Sequence, residues 1–387
     1  MAKSTVISIE PRNKTIHCYS SVDSKRIKHA FTTFDGQFFD GNFSMQFLKA
    51  LDELGKACPI ATNNINIVLP NSAVMIDFFD IPTLNAAATK NNINLTANAL
   101  YKNFSQLKYY YFPIKQDKIT STYCLSGVKG DILDALKAAC LSRKFQIKSI
   151  TFNAQSILNS AMIFHPKMKT SACIIIDIKD KFTTYVFGIN GKAVGYYSLP
   201  FGLDVLNSAK VVSENTLHKH DVAEKIINEE KSHTARRDED DEENESDGDN
   251  DFMAKLAKEL EDGKYSEGSE SKVTESKVLP DYLQRPAPRT KAELICENFR
   301  IFVKWALLLN RHVNKFKANF KPRAVYVNMP NELGFLYNMV NVEKADNGIL
   351  FAPVCPIREK SAISSDIELY GALNAKQHIN KELDFLY

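Results

Sequence analysis

The side chains most able to hold a metal or attack a substrate are seven cysteines and eight histidines, and their spacing suits them to neither task. Cys18, Cys58, Cys124, Cys140, Cys173, Cys296 and Cys355 are scattered, have no Cys-x-x-Cys spacing and sit mostly among apolar neighbours, the pattern of buried free thiols. His218 and His220 are the one close histidine pair, and no cysteine or carboxylate cluster accompanies them, so no metal site is expected. Charge says more. Residues 238–251 contain ten acidic residues and no basic one; outside that run 49 basic residues face 36 acidic ones, a balance of +13. A basic body favours an anionic partner such as a membrane surface, a nucleotide or an acidic peptide, although lysines dispersed over solvated faces give the same count. Zinc spacing, a glycine-aromatic RNA motif and a basic helix are all missing, so no nucleic-acid partner is expected.

The elements that would position a site lie on either side of a polar stretch. Residues 231–289 lose nearly all apolar content and end in Arg285-Pro286-Ala287-Pro288, which reads as a disordered acidic insertion with one short helix near 252–260. It interrupts a domain, because strand and helix patterns resume beyond it. At 387 residues and 44% hydrophobic, the chain can bury two cores. No apolar run approaches the roughly 20 residues of a membrane helix. The first residues lead into a strand-like run without the regions of a secretory signal, so an intracellular protein is expected.

Val6-Ile7-Ser8-Ile9 and Thr15-Ile16-His17-Cys18-Tyr19 flank a polar turn from Glu10 to Lys14, and a third extended piece follows near 29–34. Phe43, Phe47, Leu48, Leu51 and Leu54 then recur at helical spacing before a strand at 65–69. Residues 74–152 read strand, helix, strand, strand, helix, strand, with Thr83 capping a first helix that reaches Phe104: a small α+β subdomain inserted in the first lobe. A helix at 154–164 returns the chain to the main body. The opening pattern then recurs. Cys173-Ile174-Ile175-Ile176-Asp177-Ile178 is a continuous run, as in a strand buried on both faces. The turn Lys179-Asp180-Lys181 leads to a second strand from Phe182, Asn190-Gly191 to a third, and a helix starts at Leu203. Beyond the insertion, Ile295, Phe299, Phe302, Ala306, Leu309 and Val313 keep the spacing of a long amphipathic helix. A strand at 324–327, a helix at 332–340, a strand at 348–352 and a terminal helix at 366–386 complete the chain.

Three antiparallel strands and a helix, occurring twice without a sequence repeat, resemble the actin-like ATPase superfamily. With Asp177 ending a strand ahead of Thr183-Thr184, and with the inserted subdomain, the chain is most similar to that superfamily's PilM and FtsA branch, type IV pilus assembly PilM in particular. The resemblance implies an α/β fold of two actin-like, ribonuclease H-like lobes. The first comprises 1–73 and 153–168 with 74–152 inserted, and the second 169–230 and 290–387 with 231–289 as the acidic insertion. Further likenesses are Asn66 to Pro82 at the entry to the subdomain, Pro200-Phe201-Gly202 before a helix, Ala223-Glu224-Lys225 on the helix that approaches the nucleoside, and Tyr370-Gly371-Ala372-Leu373 on the terminal helix.

The resemblance implies a nucleotide gripped between lobes, with glycines in two hairpin turns letting backbone N–H groups approach phosphates and aspartates positioning hydrated Mg²⁺. The residues that would retain it are Glu10, Asp177, Asp180, Lys181, Thr183, Thr184 and Glu224. The glycines are missing. The first turn is Glu10-Pro11-Arg12-Asn13-Lys14, where the proline also lacks an N–H; Lys179 stands where the second turn's glycine belongs; and Val327-Asn328-Met329-Pro330-Asn331 lacks the pair that lies against adenosine. The chain holds only 15 glycines. ATP with Mg²⁺ bound weakly, through these carboxylates and lysines, or no nucleotide at all, are the two expectations.

The implied role is a cytoplasmic platform, peripheral at the inner face of the membrane through its partners. PilM-like proteins hold the cytoplasmic peptide of a PilN-like bitopic inner-membrane protein beside the inserted subdomain, among other pilus platform proteins. Tyr109, Tyr110, Tyr111 and Phe112 would line such a groove, or alternate between core and half-exposed positions on a strand. The alternatives are an active actin-like ATPase with ATP-dependent conformation or polymerisation, and an FtsA-like division or membrane-tethering protein using Leu383, Phe385, Leu386 and Tyr387.

Overall fold

The computed structural model describes residues 4–11, 14–21, 27–34, 43–58, 64–210, 290–313, 322, 324–337, 350–355 and 372. The insertion at 231–289, Glu224, His218, His220 and all of the terminal helix but Ala372 lie outside them. The chain divides into two compact units, Met1–Val212 with Ile295–Tyr387, and Ser213–Leu294. In the second unit, residues 290–294 open helix α6 (Lys291–Val313) with a capping box. The Thr290 hydroxyl accepts from the Glu293 N–H at 3.2 Å and the Glu293 carboxylate accepts from the Thr290 N–H at 2.9 Å.

The first unit is built on two sheets of the same design. Strands β1 (Ser4–Glu10), β2 (Thr15–Ser21), β3 (Ile27–Thr33), β4 (Asn64–Leu69) and β8 (Gln146–Phe152) lie in the order β3-β2-β1-β4-β8. Strands β9 (Ala172–Ile178), β10 (Thr183–Ile189), β11 (Lys192–Leu199), β12 (Ala324–Asn328) and β13 (Leu350–Pro353) lie in the order β11-β10-β9-β12-β13. In each sheet the first three strands pair antiparallel and the last two join parallel. The duplicated pattern of elements is thus a duplicated sheet topology. Asn190 and Gly191, at φ 51° and 76°, make the expected tight β10–β11 turn.

Helix α1 (Phe43–Ala57) buries Phe43, Phe47, Ala50, Leu51 and Leu54 in one core with Ile7, Ile9, Ile16 and Cys18. The opposite face of that sheet buries Val6, Tyr19 and Val68 against Ala372. Helix α4 (Asn153–Phe164) lies between the two sheets and is buried from Ala154 to Met162. Its polar residues are matched: the Gln155 amide donates to Asn159 Oδ1 at 2.9 Å and to the Gly191 carbonyl at 3.0 Å, and Gln155 Oε1 accepts the Ala193 N–H at 2.8 Å. The Ala154 N–H, an orphan of the helix start, donates to Asn71 Oδ1 at 2.8 Å.

A third sheet, β5-β7-β6, is inserted in the first lobe: β5 (Val74–Pro82), β6 (Leu107–Gln116) and β7 (Thr120–Lys129), all antiparallel. Helix α2 (Ala86–Leu100) covers one face through Ile93 and Ala97 on Phe79, Ile81, Tyr123 and Leu125. Two expectations are corrected. The stretch 74–152 is not one subdomain, because β8 extends the first sheet by pairing parallel with β4. Helix α3 (Gly130–Ser142) joins the core of α1 through Leu133, Leu136, Ala139 and Cys140. Thr83 does not cap α2, which begins at Ala86 and ends at Leu100. Asn85 Oδ1 takes the Ala88 N–H at 3.0 Å, while the Thr83 hydroxyl donates to the Asp117 carbonyl at 2.7 Å and ties β5 to the β6–β7 turn. Among the described residues no helix is long and apolar enough to cross a membrane.

The small sheet is fastened to the second lobe by Tyr196, whose hydroxyl meets the carbonyls of Asn71 at 2.6 Å and Val74 at 3.0 Å. Tyr196→Phe leaves both carbonyls without that donor and should cost about 1–2 kcal/mol, read as a lower urea midpoint at unchanged slope.

Candidate functional site

Asp177, the penultimate residue of β9, pairs in register with Asn328, the last residue of β12, and is 2% exposed. The Asn328 amide donates to Asp177 Oδ1 at 2.7 Å, and the Lys179 ammonium stands 3.7 Å from Oδ2. Such partners offset the cost of burying a carboxylate. The turn that follows closes on itself, with the Lys179 N–H donating to the Phe182 carbonyl at 2.9 Å. The turn's outward carbonyls are taken up by the short helix α5 (Leu203–Leu206): the Leu203 N–H reaches Lys179 O at 2.9 Å and the Asp204 N–H reaches Asp180 O at 3.1 Å. Gly202 makes this approach possible, since a Cβ there would lie 2.1 Å from the Lys179 oxygen.

The expected hydroxyls face inward. Thr183 and Thr184 are buried; the Thr183 hydroxyl donates to Phe201 O at 2.7 Å, and the Thr184 hydroxyl lies 3.1 Å from that of Ser198. Asp180 and Lys181 are exposed at the tip of the turn. In the first lobe, Glu10 stands at the end of β1 with its carboxylate 3.7 Å from His17 Nε2. Pro11 has no N–H, and its carbonyl accepts the N–H of Lys14, a residue at φ 52°. Arg12, Asn13 and Glu224 lie outside the described residues. At the third turn the Val327 carbonyl is engaged twice, by the Tyr337 hydroxyl at 2.8 Å and the Val354 N–H at 3.1 Å.

The structure therefore brings Asp177, Thr183 and Thr184 together and adds Asn328, Lys179 and Gly202. Asn328 was visible only as a residue lacking glycine neighbours; its role depends on strand register. The described residues do not fit magnesium and nucleotide. One Asp177 oxygen accepts from Asn328 and the other faces the Lys179 ammonium, the Lys179 N–H that would face a phosphate closes the turn, and the Thr183 and Thr184 hydroxyls turn inward to Phe201 O and Ser198.

On the small sheet, alternation splits the aromatic run between two faces. Tyr109 and Tyr111 lie toward α2, the Tyr109 hydroxyl donating to Asn94 and the Tyr111 ring meeting Tyr123 edge-on at 5.9 Å. Tyr110 and Phe112 point the other way, toward the main core. Phe112 is 2% exposed beneath the Lys192 ammonium, 4.5 Å from its ring centroid. Burial lowers the Lys192 pKa and raises that of Tyr109. Phe112 thus belongs to the interior and cannot line an open groove, leaving three half-buried tyrosines on β6, a strand at the edge of its sheet. All seven cysteines are buried, and burial pushes the thiols of Cys140 and Cys173 up to about 12, which disfavours the reactive thiolate.

No protein-family model and no curated protein matches the chain by sequence. Among solved structures, one described as the PilM-PilN type IV pilus biogenesis complex is similar over 96% of this chain and 95% of its own, at 12% identity and a TM-score of 0.50. The cytoplasmic domain of EpsL, an inner-membrane component of the type II secretion system of Vibrio cholerae, is 12% identical over 55% of this chain and 78% of its own, with a TM-score of 0.35. A Bacteroides thetaiotaomicron protein with an actin-like ATPase fold and unknown function is 8% identical over 96% and 95%, with a TM-score of 0.36. With the duplicated sheet order, the first of these likenesses shows the class: this is a two-lobed, actin-like α/β fold. Within that class its fold is similar to that of the PilM-PilN structure.

The close approach at Gly202 is testable against a control. Gly202→Ala should cost about 2 kcal/mol or more by overpacking against backbone. Gly55→Ala in α1, where nothing lies within 4 Å, should be neutral or slightly stabilising, and thermal melting of both variants measures the contrast.

Proposed function

We propose that this chain is an actin-like scaffold, not an enzyme. It would bind the cytoplasmic peptide of a PilN-like bitopic inner-membrane protein in a pilus or related secretion platform. The observation that carries this reading is the likeness, over nearly the whole of both chains, to a structure described as a PilM-PilN complex. The internally satisfied turn around Asp177 supports a role without turnover, since it offers few free donors to a phosphate. A scaffold of this kind works in the cytoplasm and reaches the inner face of the membrane through its partner. The edge of strand β6 supplies the contact, bordered by Tyr109 and Tyr111 on one face and Tyr110 on the other, because half-buried aromatics give area at low entropy cost.

The test is capture from detergent-solubilised membranes of the native host, followed by binding of the captured protein's synthetic cytoplasmic peptide, read by fluorescence anisotropy. The expected result is one bitopic protein whose peptide binds equally with and without 5 mM Mg·ATP, about tenfold or more weaker to Tyr110→Ala. Failure of the peptide to bind, or binding that requires ATP, would sink this reading.

A further inference from the structure

We propose that Lys179 is a tethered cation that replaces the site's metal, holding the turn after β9 shut from within the chain and leaving the second lobe closed to both Mg²⁺ and nucleotide. The inference deepens the reading of the Asp177 turn as internally satisfied and needs no knowledge of the partner. Asp177 is 2% exposed, and burying a carboxylate that deeply is costly unless a counter-charge and hydrogen-bond donors face it. Asn328 gives one oxygen a neutral donor at 2.7 Å; the Lys179 ammonium, on a side chain 18% exposed, supplies the charge 3.7 Å from the other.

The root of that side chain is pinned. Its N–H closes on Phe182, its carbonyl is held by the Leu203 N–H, and Gly202 lets α5 seat directly against it. Mg²⁺ keeps a near-octahedral shell of oxygens at about 2.0–2.1 Å, several of them waters, and is held through one or two carboxylates free to accept from that shell. Here the neighbouring donors are an amide N–H and an ammonium, which repel a cation. The lysine thus provides locally what a bound metal would provide, with the binding entropy already spent in folding.

A double-mutant cycle on the full-length protein tests this, read as melting temperature. Lys179→Met should lower Tm by about 5 °C or more by stranding a buried charge, and Lys179→Arg should keep most of the stability. In the Asp177→Asn background, where there is no charge to strand, Lys179→Met should shift Tm by less than about 2 °C. Neither Mg²⁺ nor Mg·ATP at 5 mM should move the wild-type Tm. Equal losses from Lys179→Met in both backgrounds would overturn the proposal, reducing Lys179 to a packing residue. So would a wild-type Tm raised by Mg²⁺ alone or by Mg·ATP. The peptide-binding measurement alters neither Asp177 nor Lys179, so failure of the peptide to bind is seen independently of the double-mutant cycle.

Discussion

A helix buried on every side is the constraint on which the rest of this molecule hangs. Nine consecutive residues of α4, Ala154 to Met162, lie between two sheets, so apolar side chains must fill both flanks and every polar group must find a partner inside. Gln155 meets that demand by bridging to Asn159, Gly191 and Ala193, which fixes α4 to the β10–β11 turn. Asn71 caps the start of α4, and its carbonyl accepts the Tyr196 hydroxyl, so the same residue joins helix, small sheet and second lobe. Unpaired polar atoms here would cost far more than exposed ones, because no water is near to replace the missing partner.

A second chain of dependence ends at Asp177 and begins on the far side of the acidic stretch. The Asn298 amide of α6 reaches the carbonyls of Val205, Leu206 and Lys210 at 3.2–3.4 Å, anchoring the end of α5. The start of α5 in turn holds the Lys179 and Asp180 carbonyls, and so the turn beside Asp177. Phe302 packs edge-on to Phe201 at 5.1 Å, and its carbonyl accepts the Tyr185 hydroxyl at 3.2 Å, which seats α6 on the same sheet. The Asp177 turn is tied down layer by layer, each hydrogen-bonded to the next. The small sheet is held differently, with a core of its own and tyrosines half open along an edge strand.

Local periodicity by itself determined much of this protein. The apolar run into Asp177 set β9 as a strand buried on both faces, Asn190-Gly191 set the hairpin, and Ile295 to Val313 set the stripe of α6. The repeated order of strands made the two-lobed fold legible without any repeat of residues. Tertiary structure alone decided the rest. Strand β8 pairs with β4 across more than 75 residues of sequence, Asn328 meets Asp177 across 151, and Gly202 faces a turn more than 20 residues upstream. The aromatic run of β6 shows the same limit, since alternation says that Tyr111 and Phe112 face opposite ways but not which face is buried deeper. The physical reason is that a sequence period reports which side of an element avoids water, whereas register and neighbour are set by distant partners that only the folded chain brings into contact.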